Sequence, residues 1–89
     1  YWSAVGGVDP VGLLERLGER VVALHIKDGP VTREVERQQP AGSGELPIAA
    51  ILAAAPQARP VIEFDAYAGD LFDGIAESIR FVRTLGVAL

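Results

Sequence analysis

The chain has 89 residues, of which 49% are hydrophobic and 22% charged, a composition typical of a globular domain rather than a disordered segment. Its net charge is −4 and no basic cluster alternates with aromatic residues, so we expect no nucleic-acid partner. The absence of cysteine excludes disulfides and thiolate metal ligands. No apolar run approaches the roughly 18–20 residues of a membrane span and no basic-then-apolar leader is present, so we expect no membrane partner and a cytoplasmic location.

The first half of the chain predicts one helix and one strand. Tyr1-Trp2-Ser3-Ala4 carries neither a helix cap nor a strand pattern, and we expect the chain to be a piece of a longer protein. Asp9-Pro10 predicts an N-cap and a proline at the first position of a helix over about residues 10–18. The β-branched run Val21–Ile26 predicts a strand covered on both faces, because polar residues do not alternate with the apolar ones.

The second half predicts a long loop, two helices and a second strand. Residues 29–44 form a polar connection longer than the roughly 12–15 residues that unstructured loops usually reach, which indicates a functional or disordered segment. A second helix is expected from Pro47 and must end before Pro56. Pro60–Phe64 predicts the second strand, and apolar residues at helical spacing predict a last helix over about residues 70–85.

This order of elements indicates an α/β fold with parallel strands. Helices between consecutive strands are the usual right-handed crossovers of parallel sheets. Two parallel strands alone leave two unpaired edges, so we expect further strands outside this sequence. No domain boundary is visible, and we interpret residues 1–89 as one partial domain.

Both predicted strands end in residues of the metal-ligating type. His25 stands near the end of the first strand and Glu63 near the end of the second. The carboxyl ends of parallel strands lie at one edge, where α/β folds keep their chemistry. We therefore expect the two side chains to converge to about 3–5 Å, close enough to share one ion. Imidazole and carboxylate ligands suit Mn, Mg, Co or Zn.

A set of short motifs carries a resemblance to a known family. In chain order the motifs are Tyr1-Trp2, Gly6-Gly7-Val8-Asp9-Pro10, Leu24-His25-Ile26-Lys27-Asp28-Gly29, Gly42-Ser43-Gly44-Glu45, Val61-Ile62-Glu63-Phe64-Asp65 and Ser78. Together they resemble the sugar phosphate isomerase/epimerase family, a xylose isomerase-like TIM barrel, over essentially the whole chain. The resemblance implies the C-terminal part of a (β/α)8 barrel, about strands seven and eight with their flanking helices. The N-terminal part of the barrel would be its missing partner.

The resemblance also implies a metal-dependent isomerase or epimerase of carbohydrate metabolism that acts on a sugar or sugar phosphate. His25 and Glu63 match two of four metal ligands, and the other two, a glutamate and an aspartate, would come from earlier strands. Such reactions remove a proton next to a carbonyl and form an enediolate, which a divalent cation stabilises while a carboxylate moves the proton. We expect Glu63 to serve as both ligand and base, and Lys27 to bind substrate and stabilise the developing oxyanion.

Two further residues are expected to bind substrate, and several have plainer interpretations. Trp2 would wall a sugar pocket, and Arg33 would contact an anionic substrate from the long loop. The plainer interpretation makes His25 a hydrogen-bonded core residue and Lys27 an ion-paired strand end. Glu63 would then belong to a structural ion pair. Asp28 and Asp65 are expected to hold the loops that follow the strands, and Gly42 and Gly44 either approach a phosphate or form a tight turn.

Other functions stay open at this point. A keto-inositol-type dehydratase or a lyase would begin with the same proton abstraction on the same barrel. A non-catalytic barrel fragment would act as a binding or assembly module, and self-association into a homo-oligomer would rebuild a barrel-like sheet. An open nucleotide-binding sheet is disfavoured because no Gly-x-Gly-x-x-Gly is present. Glu36-Arg37-Gln38 lacks the histidine of endonuclease-type barrels, which disfavours a trinuclear zinc site. We expect the isolated segment to be inactive.

Overall fold

Two parallel strands and four α-helices make up this small α/β structure, a computed structural model that describes every residue from Tyr1 to Leu89. The elements are α1 (Trp2–Val5), α2 (Pro10–Leu17), β1 (Ala23–Ile26), α3 (Ile48–Ala54), β2 (Arg59–Ile62) and α4 (Leu71–Thr84). Short 3-10 turns lie at Gly18–Arg20 and Val35–Arg37. The predicted order of helices and strands is confirmed, whereas the short helix α1 has no counterpart among the predicted elements.

The register of the sheet brings the ends of the two strands together. β1 and β2 are parallel, with His25 opposite Val61 and Ile26 opposite Ile62. The ladder continues one residue further, because the backbone N–H of Glu63 donates to the Ile26 carbonyl at 3.1 Å. The predicted parallel pairing is therefore confirmed, and Glu63 stands just past the end of β2.

The sheet is covered on one face only. Ile26 is 3% exposed and Leu24 is partly buried, whereas His25 between them is exposed. On the neighbouring strand Val61 is 40% exposed and Ile62 is partly buried. The expected cover of both faces is not provided within this chain, because the apolar core lies on one side of the strands and burial alternates with the two-residue period of a strand.

The helices place their apolar faces around this single core. Asp9 caps α2 by accepting a hydrogen bond from the Val11 N–H at 3.1 Å. α4 buries a stripe spaced four residues apart, Gly74, Ser78 and Val82. The buried core consists of Leu14, Val21, Ile26, Ala41, Leu46, Ile48, Ile51, Leu52, Ala55, Ala58 and Val82.

The buried carboxylate of Asp28 organises the loop after β1. It is 1% exposed and accepts four backbone hydrogen bonds. Oδ1 accepts from the N–H groups of Gly29 at 2.8 Å and Leu46 at 3.0 Å, and Oδ2 accepts from those of Gly42 at 2.9 Å and Gly44 at 3.0 Å. The expectation that Asp28 holds the loop is confirmed. Residues 29–46 are thus folded back onto the end of β1.

The two glycines of Gly42-Ser43-Gly44 allow this close approach. A Cβ atom on Gly44 would overlap the Asp28 carboxylate and the Gly29 nitrogen. Gly42 has a φ of 92°, in the left-handed region, and a Cβ there would meet the Phe81 ring at 2.5 Å. The structure therefore favours the tight turn over a phosphate loop, since the amides of both glycines already donate to a carboxylate.

Replacing the Asp28 carboxylate with an amide tests this role. We expect Asp28→Asn to lower the free energy of unfolding by about 3 kcal/mol, because the amide places an NH2 group against backbone donors and leaves buried N–H groups unpaired. Chemical denaturation followed by circular dichroism measures the change. Asp9→Asn is the matched control, since asparagine caps a helix as well as aspartate does. Equal stability of the two variants would show that the loop does not depend on Asp28.

Candidate metal and proton-transfer site

The structure brings His25 and Glu63 into contact at the carboxyl end of the sheet. Nδ1 of the His25 imidazole lies against Oε2 of Glu63. This oxygen is shielded from solvent and takes part in no hydrogen bond, whereas the imidazole is largely exposed. The two side chains converge, as expected, but they meet in direct contact rather than at the expected separation of about 3–5 Å. A carboxylate oxygen and an imidazole nitrogen side by side are two of the ligand types that bind divalent cations.

Lys27 lies between two carboxylates. Its Nζ is 2.8 Å from both carboxylate oxygens of Asp65 and 3.3 Å from Oε1 of Glu63. The Lys27 side chain is only 8% exposed and its ammonium lies 5.8 Å from the centroid of the Trp2 ring, within cation–π range. Lys27 is therefore an ion-paired strand end that also contacts a residue of the metal-ligating type. Whether it contacts substrate stays a prediction.

Asp65 is anchored from three directions. Besides Lys27, its Oδ2 accepts hydrogen bonds from Nε2 of Gln38 at 2.7 Å and from the Trp2 indole at 3.2 Å. The backbone N–H of Asp65 in turn donates to Oε1 of Gln38 at 2.8 Å. Gln38 is 2% exposed and belongs to the long loop. Asp65 therefore ties the segment after β2 to the loop after β1, as expected for a residue that holds loops.

These contacts shift two pKa values in opposite directions. Burial by itself lowers the pKa of Lys27, but hydrogen bonds to Asp65 and Glu63 outweigh it and the pKa lies above its ordinary value. The Lys27 ammonium, and after it the Gln38 amide, lowers the pKa of the Asp65 carboxyl. Both groups are thus charged near neutral pH. Two carboxylate side chains therefore lie around the Lys27 ammonium.

The remaining predicted binding residues are less closely connected. Trp2 is 41% exposed and reaches the cluster through its indole nitrogen. Arg33 is exposed, and neither a hydrogen bond nor an ion pair joins it to the cluster, so its contact with substrate stays a prediction. Gln38 was absent from the residues that the sequence singled out. Its sequence neighbourhood carries no signal, because its partner stands 27 positions further along the chain.

Gln38 also lines a polar cleft of about 580 Å³. Tyr67, Arg37 and Glu45 are among the residues that line it. Arg37 is paired with Glu34 at 3.0 Å. Gln38 is the residue that this cleft shares with the Asp65 cluster.

The metal-ligating side chains of this chain do not form a complete set of ligands. No group of three or more His, Asp or Glu side chains is arranged to hold a metal ion. His25 and Glu63 would therefore need ligands from outside the chain.

None of the helices has the length and apolar character needed to cross a membrane.

No protein-family model, no curated protein and no solved structure matches this chain. The resemblance to the sugar phosphate isomerase/epimerase family therefore stays a prediction from its motifs. The chemistry has to be inferred from the side chains at the end of the sheet.

The Lys27–Asp65 pair predicts a pH window of stabilisation. Because the pKa of Asp65 is lowered on folding, its contribution is present above the ordinary value of 3.8 and is lost as the pH falls through the folded value. Because the pKa of Lys27 is raised, its contribution is present below 10.5 and is lost at higher pH. We expect Asp65→Asn to lower the midpoint of thermal unfolding inside this window, and the difference from the parent to shrink in stronger acid.

Thermal unfolding followed by circular dichroism across this pH range measures the difference. Glu34→Gln is the matched control, since it breaks an exposed ion pair of the kind that contributes only about 0.2–1 kcal/mol. A difference between Asp65→Asn and the parent that persists undiminished well below pH 3.8 would contradict a charge-based role.

Proposed function

We propose that this chain is the C-terminal part of a TIM barrel, about strands seven and eight with their helices, in a metal-dependent isomerase or epimerase of a sugar or sugar phosphate. The observation that carries this proposal is the meeting of His25 Nδ1 and Glu63 Oε2 at the carboxyl end of two parallel strands. Active sites of TIM barrels lie at this end of the strands.

The one-sided cover of the sheet supports the barrel. In a TIM barrel the helices form an outer ring and the inner face of the sheet is filled by side chains of the other strands. Here the core covers one face, and the other face, which carries His25 and Val61, is exposed. Both edges of the two-stranded sheet are free to pair with further strands. Such edges are normally protected in a finished fold.

His25 and Glu63 would hold a divalent cation such as Mn, Mg, Co or Zn, together with a glutamate and an aspartate from earlier strands. When bound, the cation supplies Lewis-acid stabilisation of negative charge on the substrate oxygens. Glu63 would take the proton from the carbon next to the carbonyl. Lys27, held as a cation beside Glu63, would stabilise the oxyanion that develops, and the Trp2 ring next to it would form a wall against the sugar.

The same residues would also suit related reactions that begin with the removal of a proton next to a carbonyl. A keto-inositol-type dehydratase or a lyase would use Glu63 for the same proton abstraction. A non-catalytic binding or assembly module is the second candidate, favoured by the open face and free edges of the sheet, which by themselves provide a docking surface. Metal binding separates this module from the enzymes.

Metal titration of the full-length protein that carries this segment tests the proposal. We expect one tightly bound divalent ion. His25→Ala and Glu63→Gln should each weaken its binding more than about 100-fold. Changing a residue that only orients a ligand already weakens metal binding about 10–100-fold, and removing the ligand itself should weaken it further. Isothermal titration with Mn²⁺ and Co²⁺ measures the affinities. Glu34→Gln, which removes one carboxylate outside the site, is expected to bind as the parent does.

Two results would count against the enzyme. If both ligand variants hold the ion as strongly as the parent, the assignment of the metal site is wrong. If the unmodified full-length protein binds no divalent ion, the non-catalytic module is favoured instead.

A further inference from the structure

The Lys27 ammonium lies closer to the carboxylate of Asp65 than to that of Glu63. Its Nζ lies 2.8 Å from each oxygen of Asp65, a symmetrical two-oxygen contact, and 3.3 Å from a single oxygen of Glu63. The second Glu63 oxygen, Oε2, receives nothing from Lys27 and faces His25. Asp65 is thus the main counterion of Lys27, and Oε2 of Glu63 is left in contact with the His25 imidazole rather than with Lys27.

We infer that Asp65 is a positioning residue that takes up the charge of Lys27 and so keeps Glu63 available to a divalent cation. This inference rests on the proposed metal site but concerns residues outside the ligand set. Asp65 would act through Lys27, without touching the ion itself.

The burial of Lys27 makes a counterion necessary. The Lys27 side chain is only 8% exposed, so its ammonium has little contact with water. A shielded ammonium of this kind needs a carboxylate partner. If Asp65 lost its charge, Glu63 would be the remaining carboxylate within reach. Lys27 would then approach Glu63 and compete with the cation for the same charge.

The anchoring of Asp65 makes it suited to this task. Its carboxylate is held by the Gln38 amide at 2.7 Å and the Trp2 indole at 3.2 Å, and its backbone N–H is held by the Gln38 carbonyl oxygen at 2.8 Å. Two neutral donors on Oδ2 hold the carboxylate in place without neutralising it. Gln38, a residue of the long loop, therefore fixes Asp65, which holds Lys27 closer to itself than to Glu63. Through these contacts the position of the loop affects how freely Glu63 can bind a cation.

A double-mutant cycle read by Co²⁺ affinity tests the inference in the full-length protein. We expect Asp65→Asn to weaken Co²⁺ binding by about 10–100-fold, the range for outer-shell changes at metal sites. We expect Lys27→Met to bind Co²⁺ at least as tightly as the parent, because it removes a positive charge near the site. In the Lys27→Met background, Asp65→Asn should then change the affinity less than about threefold, because the competing ammonium is gone.

A structural role for Asp65 predicts a different pattern. If Asp65 only holds the two loops together, Asp65→Asn weakens Co²⁺ binding equally with and without Lys27. That result, or full Co²⁺ affinity of the single variant, overturns the inference. Glu34→Gln and Arg37→Met are the matched controls, because they break an ion pair on the same long loop without touching the cluster.

A second route does not depend on the folding of Asp65→Asn. Gln38→Met removes the amide anchor but keeps both charges, so it should weaken Co²⁺ binding in the same direction and be rescued by Lys27→Met. Thermal unfolding shows which variants are folded. An unmodified protein that binds no Co²⁺ refutes the metal site, and this inference falls with it. If the parent binds Co²⁺ and loses it in His25→Ala, but Lys27→Met does not rescue Asp65→Asn or Gln38→Met, the metal site stands and this inference alone is refuted.

Discussion

The parallel register of β1 and β2 is the constraint on which the candidate site depends. It sets His25 opposite Val61, so that Glu63, two residues past Val61 and on the same face, stands beside the end of β1. Lys27 follows His25 by two residues and therefore faces the same side. A shift of one residue would turn one strand's polar side chains to the opposite face and separate the imidazole from the acid.

Three carboxylates near this edge are compensated in three different ways. Asp28 accepts four backbone amides and serves the loop. Asp65 is paired with Lys27 and anchored by Gln38. Glu63 contacts Lys27 at a longer distance through Oε1, while its Oε2 lies against the exposed His25 imidazole. Glu63 is therefore the one of the three carboxylates that faces a second ligand-type side chain.

The uncovered face of the sheet has a physical meaning of its own. An isolated two-stranded sheet is marginal, and here the helices stabilise it from one side only. Val61 is 40% exposed, although it is a β-branched residue suited to a covered strand. Its apolar character is explained if further strands cover this face, which is what the proposed barrel would supply.

The amino-acid sequence by itself determined the elements and the meeting of His25 with Glu63. Asp9-Pro10 set the start of α2, and the apolar spacing predicted α4 to within a residue at each end. These features are local, because caps, prolines and periodicity act within a few residues. The boundaries of the strands were less well predicted: the first begins at Ala23 rather than Val21, and the second ends at Ile62 rather than Phe64.

The tertiary structure alone decided the environment of the site. Gln38 reaches Asp65 across 27 positions, and the amide of Leu46 reaches Asp28 across 18. Both contacts depend on the path of the loop over residues 29–46, which no local propensity specifies. The same holds for the one-sided core, because continuous apolar strands do not show which face remains open. Local sequence therefore identifies the polar groups at the strand ends, and the folding of a distant loop decides which partners each of them has.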